Sequence, residues 1–264
     1  IAGEQFDSAT MQTIARWTNL VETTFLLPPE TDKGSYRVRI FTPSKEIAFA
    51  GHPSVGSAHA AVLSGLAEPK NGVLWQECLA GTLPIRVMGE GQMRQWYVQS
   101  PAASILDDSP EAHIRISHLL ENKPLGALGA ALVDGGRRWW VAELANSETL
   151  RTWRPSHEAV GQLATETQSM GICLFAREGS DLAVRAFPAG AGIVEDPASG
   201  AANGLIADFI VKKAPSDPLA KGYNVSQGRE MGHDAHLAIH IDDEKTVWVG
   251  GRCNTVIDGE IQWP

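Results

Sequence analysis

Two short segments of this chain combine a titratable side chain with a proline, a glycine and small residues. The first reads His52-Pro53-Ser54-Val55-Gly56-Ser57-Ala58, the second Asp196-Pro197-Ala198-Ser199-Gly200-Ala201-Ala202. They stand 144 residues apart, with proline, glycine and the last alanine coinciding. Upstream, Arg39-Ile40-Phe41 recurs as Arg185-Ala186-Phe187. Each copy thus reads as a strand, a short loop, a polar residue before proline, a glycine turn and an alanine-rich helix. Such a loop can hold an acid. Glycine among small residues lets the backbone come close to a ligand, and the helix start offers unpaired N–H groups and a positive dipole end. Imidazole in one copy and carboxylate in the other differ in proton affinity, as a proton shuttle requires. Both are also ordinary residues for a helix cap. Glu22, in Asn19-Leu20-Val21-Glu22-Thr23-Thr24-Phe25, is a lone carboxylate where an apolar strand begins; taken bare it reads as solvated.

The elements that must position these groups follow from periodicity. Ser8–Trp17 and His157–Thr167 read as helices, as do Ser57–Leu66, Ser109–Leu120 and Ala201–Lys212. Strands are predicted at 23–27, 36–41, 72–78, 83–87, 93–99, 171–176 and 182–187, with tail strands at 236–241, 246–250 and 255–257. A hairpin is predicted from Ala127 to Leu144 around Asp134-Gly135-Gly136. Strands and helices mix throughout, which leaves the class α/β or α+β. No linker separates two halves, although the repeat argues for two pseudo-equivalent lobes.

Composition removes other classes. Among 264 residues, 22 Lys and Arg against 31 Asp and Glu give a net charge of −9, which disfavours nucleic-acid and anionic-membrane partners. No run approaches the ~18–20 apolar residues of a membrane span, and no secretory signal is evident. Three scattered cysteines, Cys78, Cys173 and Cys253, fit buried thiols in a reducing cytoplasm. Gly190-Ala191-Gly192 lacks the third glycine of a dinucleotide loop, and Ser54 and Ser199 lack the nucleophile elbow of hydrolases. His236 and His240 are predicted on one strand, over ~13 Å apart, so no metal is expected. Trp139 and Trp140 read as packing residues.

The order of Asn19–Phe25, Phe41-Thr42-Pro43, Phe49-Ala50-Gly51-His52-Pro53, Arg185-Ala186-Phe187, Glu195–Gly200 and Gln227-Gly228 resembles the phenazine-biosynthesis PhzF-like isomerases, of diaminopimelate-epimerase-like fold. The resemblance runs over nearly the whole chain. It implies an α+β protein of two pseudo-symmetric lobes, each a curved, mostly antiparallel sheet or open barrel around a central helix, with the active site in the cleft between them. The lobes are expected at 1–100 and 101–264. The family's first strand has no counterpart, because the chain starts at Ile1, and C-terminal residues are a candidate for completing the first lobe.

The resemblance also implies a homodimer, no metal or organic cofactor, and a small carboxylated substrate. The family's best-understood reaction isomerises trans-2,3-dihydro-3-hydroxyanthranilate. By motif, Glu22 would move the proton while His52 and Asp196 assist, and Gly51, Pro53, Ser54, Gly200 and Ala201 would bind substrate. Ala201 replaces the family's serine, and Gly232-His233-Asp234-Ala235 replaces its Gly-Arg-Pro-Ser. The epimerase cousins use two opposed cysteines, here expected at Ala50 and Asp196, so two-thiol racemisation is disfavoured. The expected function is a cofactor-independent isomerase of a small carboxylated unsaturated or cyclic metabolite. A non-catalytic acid-binding protein on the same scaffold, or an epimerase using carboxylate and imidazole, are the alternatives.

Overall fold

A computed structural model describes residues 1–260 and 262–263, with the backbone alone for Gln92. It divides into two compact units, Ile1–Val98 with Gly251–Pro264, and Gln99–Gly250. The class is mixed α+β.

The first unit contains α1 (Ser8–Thr18), β1 (Thr23–Leu27), β2 (Tyr36–Phe41), β3 (Glu46–Ile47), α2 (Gly51–Leu63), β4 (Val73–Cys78), β5 (Gly81–Met88) and β6 (Gln95–Gln99). Its strands run β1-β2-β4-β5-β6, with β3 beside β2. Only β2 and β4 pair in parallel, and α2 supplies the crossover that such a pair needs. Alternation along the strands serves two cores. Phe25, Leu27 and Phe41 pack with Met11, Ile14 and Ala15 of α1. Leu26, Tyr36, Val38 and Ile40 pack with Ala58 and Ala61 of α2.

The second unit contains β7 (Ser104–Asp107), α3 (Pro110–Leu119), β8 (Leu125–Asp134), β9 (Arg138–Leu144), α4 (Ser147–Thr152), α5 (His157–Thr167), β10 (Ile172–Glu178), β11 (Asp181–Phe187), α6 (Gly200–Lys213), β12 (Gly222–Gln227), β13 (Ala235–Ile241) and β14 (Val247–Arg252). Its strands run β7 to β14 in chain order, parallel at β9–β10 and β11–β12 and antiparallel elsewhere. Every residue of α6 from Ala202 to Ile210 is buried, as befits a helix surrounded by its core. Leu205, Ile206 and Phe209 meet Phe175, Val184 and Val249 there. A separate core joins Ile116, Leu150 and Leu163 of α3, α4 and α5 to Trp140, Leu174 and Phe187.

The units repeat one another. Met11, Ile14 and Ala15 of α1 are matched 149 residues later by Val160, Leu163 and Ala164 of α5. Both helices end on a left-handed residue, Asn19 at φ 52° and Gln168 at φ 51°. Phe25 pairs with Arg39 in β1–β2, and Leu174 with Arg185 in β10–β11. Arg39 grips both carboxylate oxygens of Glu46 at 2.8 and 2.6 Å, and Arg185 those of Glu195 at 2.8 and 2.8 Å. Each guanidinium also covers a phenylalanine ring, Phe41 at 5.2 Å and Phe187 at 4.9 Å. The central helices start at Gly51 and Gly200, again 149 residues apart.

That register corrects the expected one of 144. The connection from Phe41 to Gly51 is three residues shorter than that from Phe187 to Gly200. His52 therefore corresponds to Ala201 and Asp196 to Ile47, the three extra residues lying between Phe187 and Glu195. Helix α2 starts six residues before the predicted Ser57, because a proline in the first turn forgoes an N–H that the helix does not use. The predicted strand at 255–257 is absent, while β7 and α4 were not foreseen. Residues 251–264 join the first unit rather than the second. There Cys253 packs on the Leu26–Trp96 core, and His59 Nε2 lies 3.1 Å from Thr255 Oγ1.

Candidate active site

In the first unit Glu22 is half-buried immediately before β1. The left-handed Asn19 reverses the chain after α1, and its N–H donates to Ala15 O at 3.2 Å. Thr18 Oγ1 donates to Ala15 O and therefore accepts from Thr23 Oγ1 at 3.0 Å, closing the turn that carries Glu22. Ser57 Oγ, on α2, donates to Thr24 Oγ1 at 3.0 Å. This bond ties β1 to the helix that bears His52. Along its own element, Glu22 lies ~7 Å from that tie and His52 ~8 Å. In the first unit Glu22 precedes β1, Gly51 and His52 open α2, and the Ser57–Thr24 bond joins the two elements.

His52 is exposed in the first turn of α2. The preceding Ala50 is extended, and its methyl side chain offers no cap to the turn. Ser54 was expected to bind substrate, but it is fully buried. Its hydroxyl donates to Ala50 O at 2.8 Å and accepts from Gln76 Nε2 at 2.9 Å. Its work is to hold the turn. A Cβ on Gly51 would meet only Val98 at 3.5 Å, and one on Gly200 nothing within 4 Å. Packing does not require either glycine.

In the second unit Asp196 lies three residues before Ser199, the cap of α6. Its N–H donates to Ala186 O at 2.9 Å, and its Oδ1 accepts from Ala198 N at 3.0 Å. Its carbonyl accepts from Gln227 Nε2 at 2.7 Å. Next to it, Glu195 is fixed by Arg185, which also donates to Leu150 O and Trp153 O at 3.1 and 2.6 Å. Gly228 has φ 85°, and a Cβ there would stand 2.7 Å from Pro197 O. The second unit thus gathers Asp196, Gly200 and Ala201 at the start of α6. The two helix caps, Ala50 and Ser199, are structural counterparts, so Ala50 and Asp196 are not an equivalent pair. Neither cap is a thiol. Burial raises the pKa of Cys173, and that of Cys253 to about 11.

Sequence reasoning overlooked the groups that hold these turns. Arg185 was noticed as part of a repeat, and Glu195 and Gln227 as parts of motifs, but none was given a partner. Gln76, Asn203 and Glu46 carried no signal beyond their types. His236 and His240 lie on β13 as predicted, and Trp139 and Trp140 are buried. Among the described residues no three His, Cys, Asp or Glu side chains are grouped to hold a metal. None of the described helices is long and apolar enough to cross a membrane.

A family profile described as phenazine biosynthesis-like protein, PhzC-PhzF, matches residues 1–259. The chain belongs to the PhzC-PhzF family. It is 34% identical to antisense-enhancing sequence 1 of Schizosaccharomyces pombe, over 95% of this chain and 87% of that protein. It is 30% identical to the trans-2,3-dihydro-3-hydroxyanthranilate isomerase of Pseudomonas aeruginosa, over 86% of this chain and 77% of the enzyme. A crystal structure of a PhzF-family protein of Bacillus anthracis shares the fold at TM-score 0.77 and 24% identity, covering 95% of this chain and 88% of that one. Several other relatives, 29–30% identical, are named isomerases, and this PhzC-PhzF member is an isomerase.

Proposed function

We propose that this chain is a cofactor-independent isomerase that shifts a proton on a small carboxylated, unsaturated or cyclic metabolite. Glu22 takes the proton from one carbon and returns it to another. His52 and Asp196 position the substrate and assist the transfer. The backbone at Gly51, Gly200 and Ala201 approaches the acid, and Pro53 shapes the first turn. The observation that supports this reading is the hydrogen bond from Ser57 to Thr24, which ties the helix bearing His52 to the strand that Glu22 precedes. Two glycines that packing does not demand support it, since bare backbone is useful where a ligand comes close. Aliphatic residues stand exposed just before the acids, Leu20 and Val21 before Glu22, and Ile193 and Val194 before Glu195. They suit a substrate with an apolar body. We assign the working protein to the cytoplasm, which its three scattered cysteines fit, and as a homodimer, as its family resemblance implies.

The first substrate to try is trans-2,3-dihydro-3-hydroxyanthranilate, because a relative 30% identical is named for it. Incubated in heavy water with related carboxylated dienes alongside, it should take up deuterium at the carbon that gains the proton. Glu22→Gln should lower turnover by on the order of 10²–10⁴, the usual yield of one acid–base group. Full turnover by Glu22→Gln would remove Glu22 from its role. Binding without exchange would make the chain an acid-binding protein, and inversion at a stereocentre would make it an epimerase.

A further inference from the structure

The connection bearing Asp196 is held at both ends by a single buried side chain. Gln227, the last residue of β12, is fully buried. Its Nε2 donates to Asp196 O at 2.7 Å. Its Oε1 accepts from Ser199 N at 3.3 Å and from Asn203 Nδ2 at 2.8 Å. Asn203 Nδ2 donates also to Ser199 O at 2.8 Å. The backbone fixes the direction of every bond. Carbonyls of Asp196 and Ser199 can only accept, and Ser199 N–H can only donate. Both amides therefore have one workable orientation. Asn203 Oδ1 is left without a partner among the described residues, so the donor demand of Ser199 O and Gln227 Oε1 decides how that amide lies.

The first unit holds the start of its own helix differently. Gln76 is fully buried on β4, donating to Ser54 Oγ at 2.9 Å and accepting from Tyr36 Oη at 2.9 Å. Both partners are hydroxyls, which turn to suit an acceptor or a donor. Among the described residues, Gln76 reaches the backbone of that helix start through Ser54.

We propose that Gln227 is the positioning residue of the Asp196 turn, its amide serving as a donor that no acceptor of the same shape can replace. The functional half of this proposal rests on the role given to Asp196 above. Gln227→Glu keeps the shape and the acceptor but sets a carboxylate oxygen against Asp196 O. Burial raises the pKa of an introduced acid, and the protonated acid again has an O–H to donate. The variant should therefore loosen the turn at high pH and restore it at low pH. The charged or titratable groups around it are the Asp196 carboxylate, the Arg185–Glu195 pair, the Arg151–Glu230 pair beside β12 and His233 after Gly228. All are present in the wild type, which is measured alongside.

The experiment is amide hydrogen exchange read by mass spectrometry on peptides spanning 196–203, corrected for intrinsic rates, from pH 5 to pH 8. Gln227→Glu should lose protection about tenfold at pH 8, as an unpaired buried carbonyl implies, and regain it towards pH 5. Gln76→Glu should leave 196–203 unchanged at both. Gln227→Met should lose protection at both. Wild-type protection in Gln227→Glu throughout, or the same loss at both pH values, overturns the proposal. Deuterium uptake into trans-2,3-dihydro-3-hydroxyanthranilate is followed in parallel, with kcat expected to follow protection while KM changes less. If protection responds and kcat does not, Gln227 positions the turn and the error lies in the role of Asp196.

Discussion

The two units use one plan and give it different chemistry. At the position of Glu22 the second unit has Gly171, and at the position of His52 it has Ala201. At the position of Asp196 the first unit has Ile47; each follows the carboxylate that an arginine grips and bridges back to that arginine's strand, Ile47 to Ile40 and Asp196 to Ala186. The start of β1 leaves room for a long carboxylate. The start of β10 does not, because Gly171 has φ 135° and a Cβ there would fall 2.0 Å from Phe187 O. The caps differ too. Ser199 closes the first turn of α6 by accepting from Ala202 N, whereas Ala50 leaves that of α2 open. A duplicated scaffold can therefore be asymmetric in function without being asymmetric in its core.

The largest way to break this comparison is at the strand starts. Gly171→Ala should destabilise the chain by more than ~3 kcal/mol, since both the steric clash and the strained φ act on it. Glu22→Ala, a truncation at a half-buried position with no strained backbone, should cost less than that. Urea denaturation measures both, and near-wild-type stability of Gly171→Ala would make the two positions interchangeable. Next come the arginines. The Arg185 side chain is 3% exposed and its partner Glu195 11%, against 21% and 22% for Arg39 and Glu46. Arg185→Met should lose about 3–5 kcal/mol by stranding a buried carboxylate. Arg39→Met should lose about 1 kcal/mol or less. Equal losses would erase the distinction.

The smallest effect sharpens the comparison through pH. In the 149-residue register His59 on α2 corresponds to Asp208 on α6. Burial, with Arg94 nearby, lowers the pKa of His59. Burial raises that of Asp208, partly offset by the hydrogen bond from Ala103 N. For His59 the unfolded chain binds the proton more readily, so stability falls as pH drops below about 6.5. For Asp208 the folded chain binds it more readily. The penalty of its charge is therefore complete at neutral pH and is relieved as pH falls towards about 4. His59→Gln should flatten the melting temperature around pH 6. Asp208→Asn should raise it at pH 7, by about 2–4 °C per kcal/mol recovered, and leave it unchanged near pH 3. A wild-type profile in either variant would mean that its site does not distinguish the units.

Much of the architecture could be read before any coordinates. The Arg-x-Phe repeat marked β2 and β11 because each arginine has the same task, a carboxylate grip beside a phenylalanine ring. The apolar spacing of α1, α5 and α6 located those helices. What misled was proline. His52-Pro53 and Asp196-Pro197 look alike, but one proline lies inside a helix and the other ahead of one, and loop length is invisible to a match of letters. The clamps on Asp196 were beyond reach for another reason. Gln227 ends β12 while Ser199 and Asn203 open α6, and only folding brings a side-chain amide to a distant carbonyl.

The return of residues 251–255 to the first unit has a consequence for how the chain is born. A ribosome releases Cys253 and Thr255 only after all of 99–250 has emerged. Val55, whose carbonyl Cys253 meets at 3.7 Å, waits some two hundred residues for that neighbour. The later-made unit can close on itself while the earlier-made one is still short of its last packing layer. Glu22 and His52 therefore belong to the part of the molecule finished last.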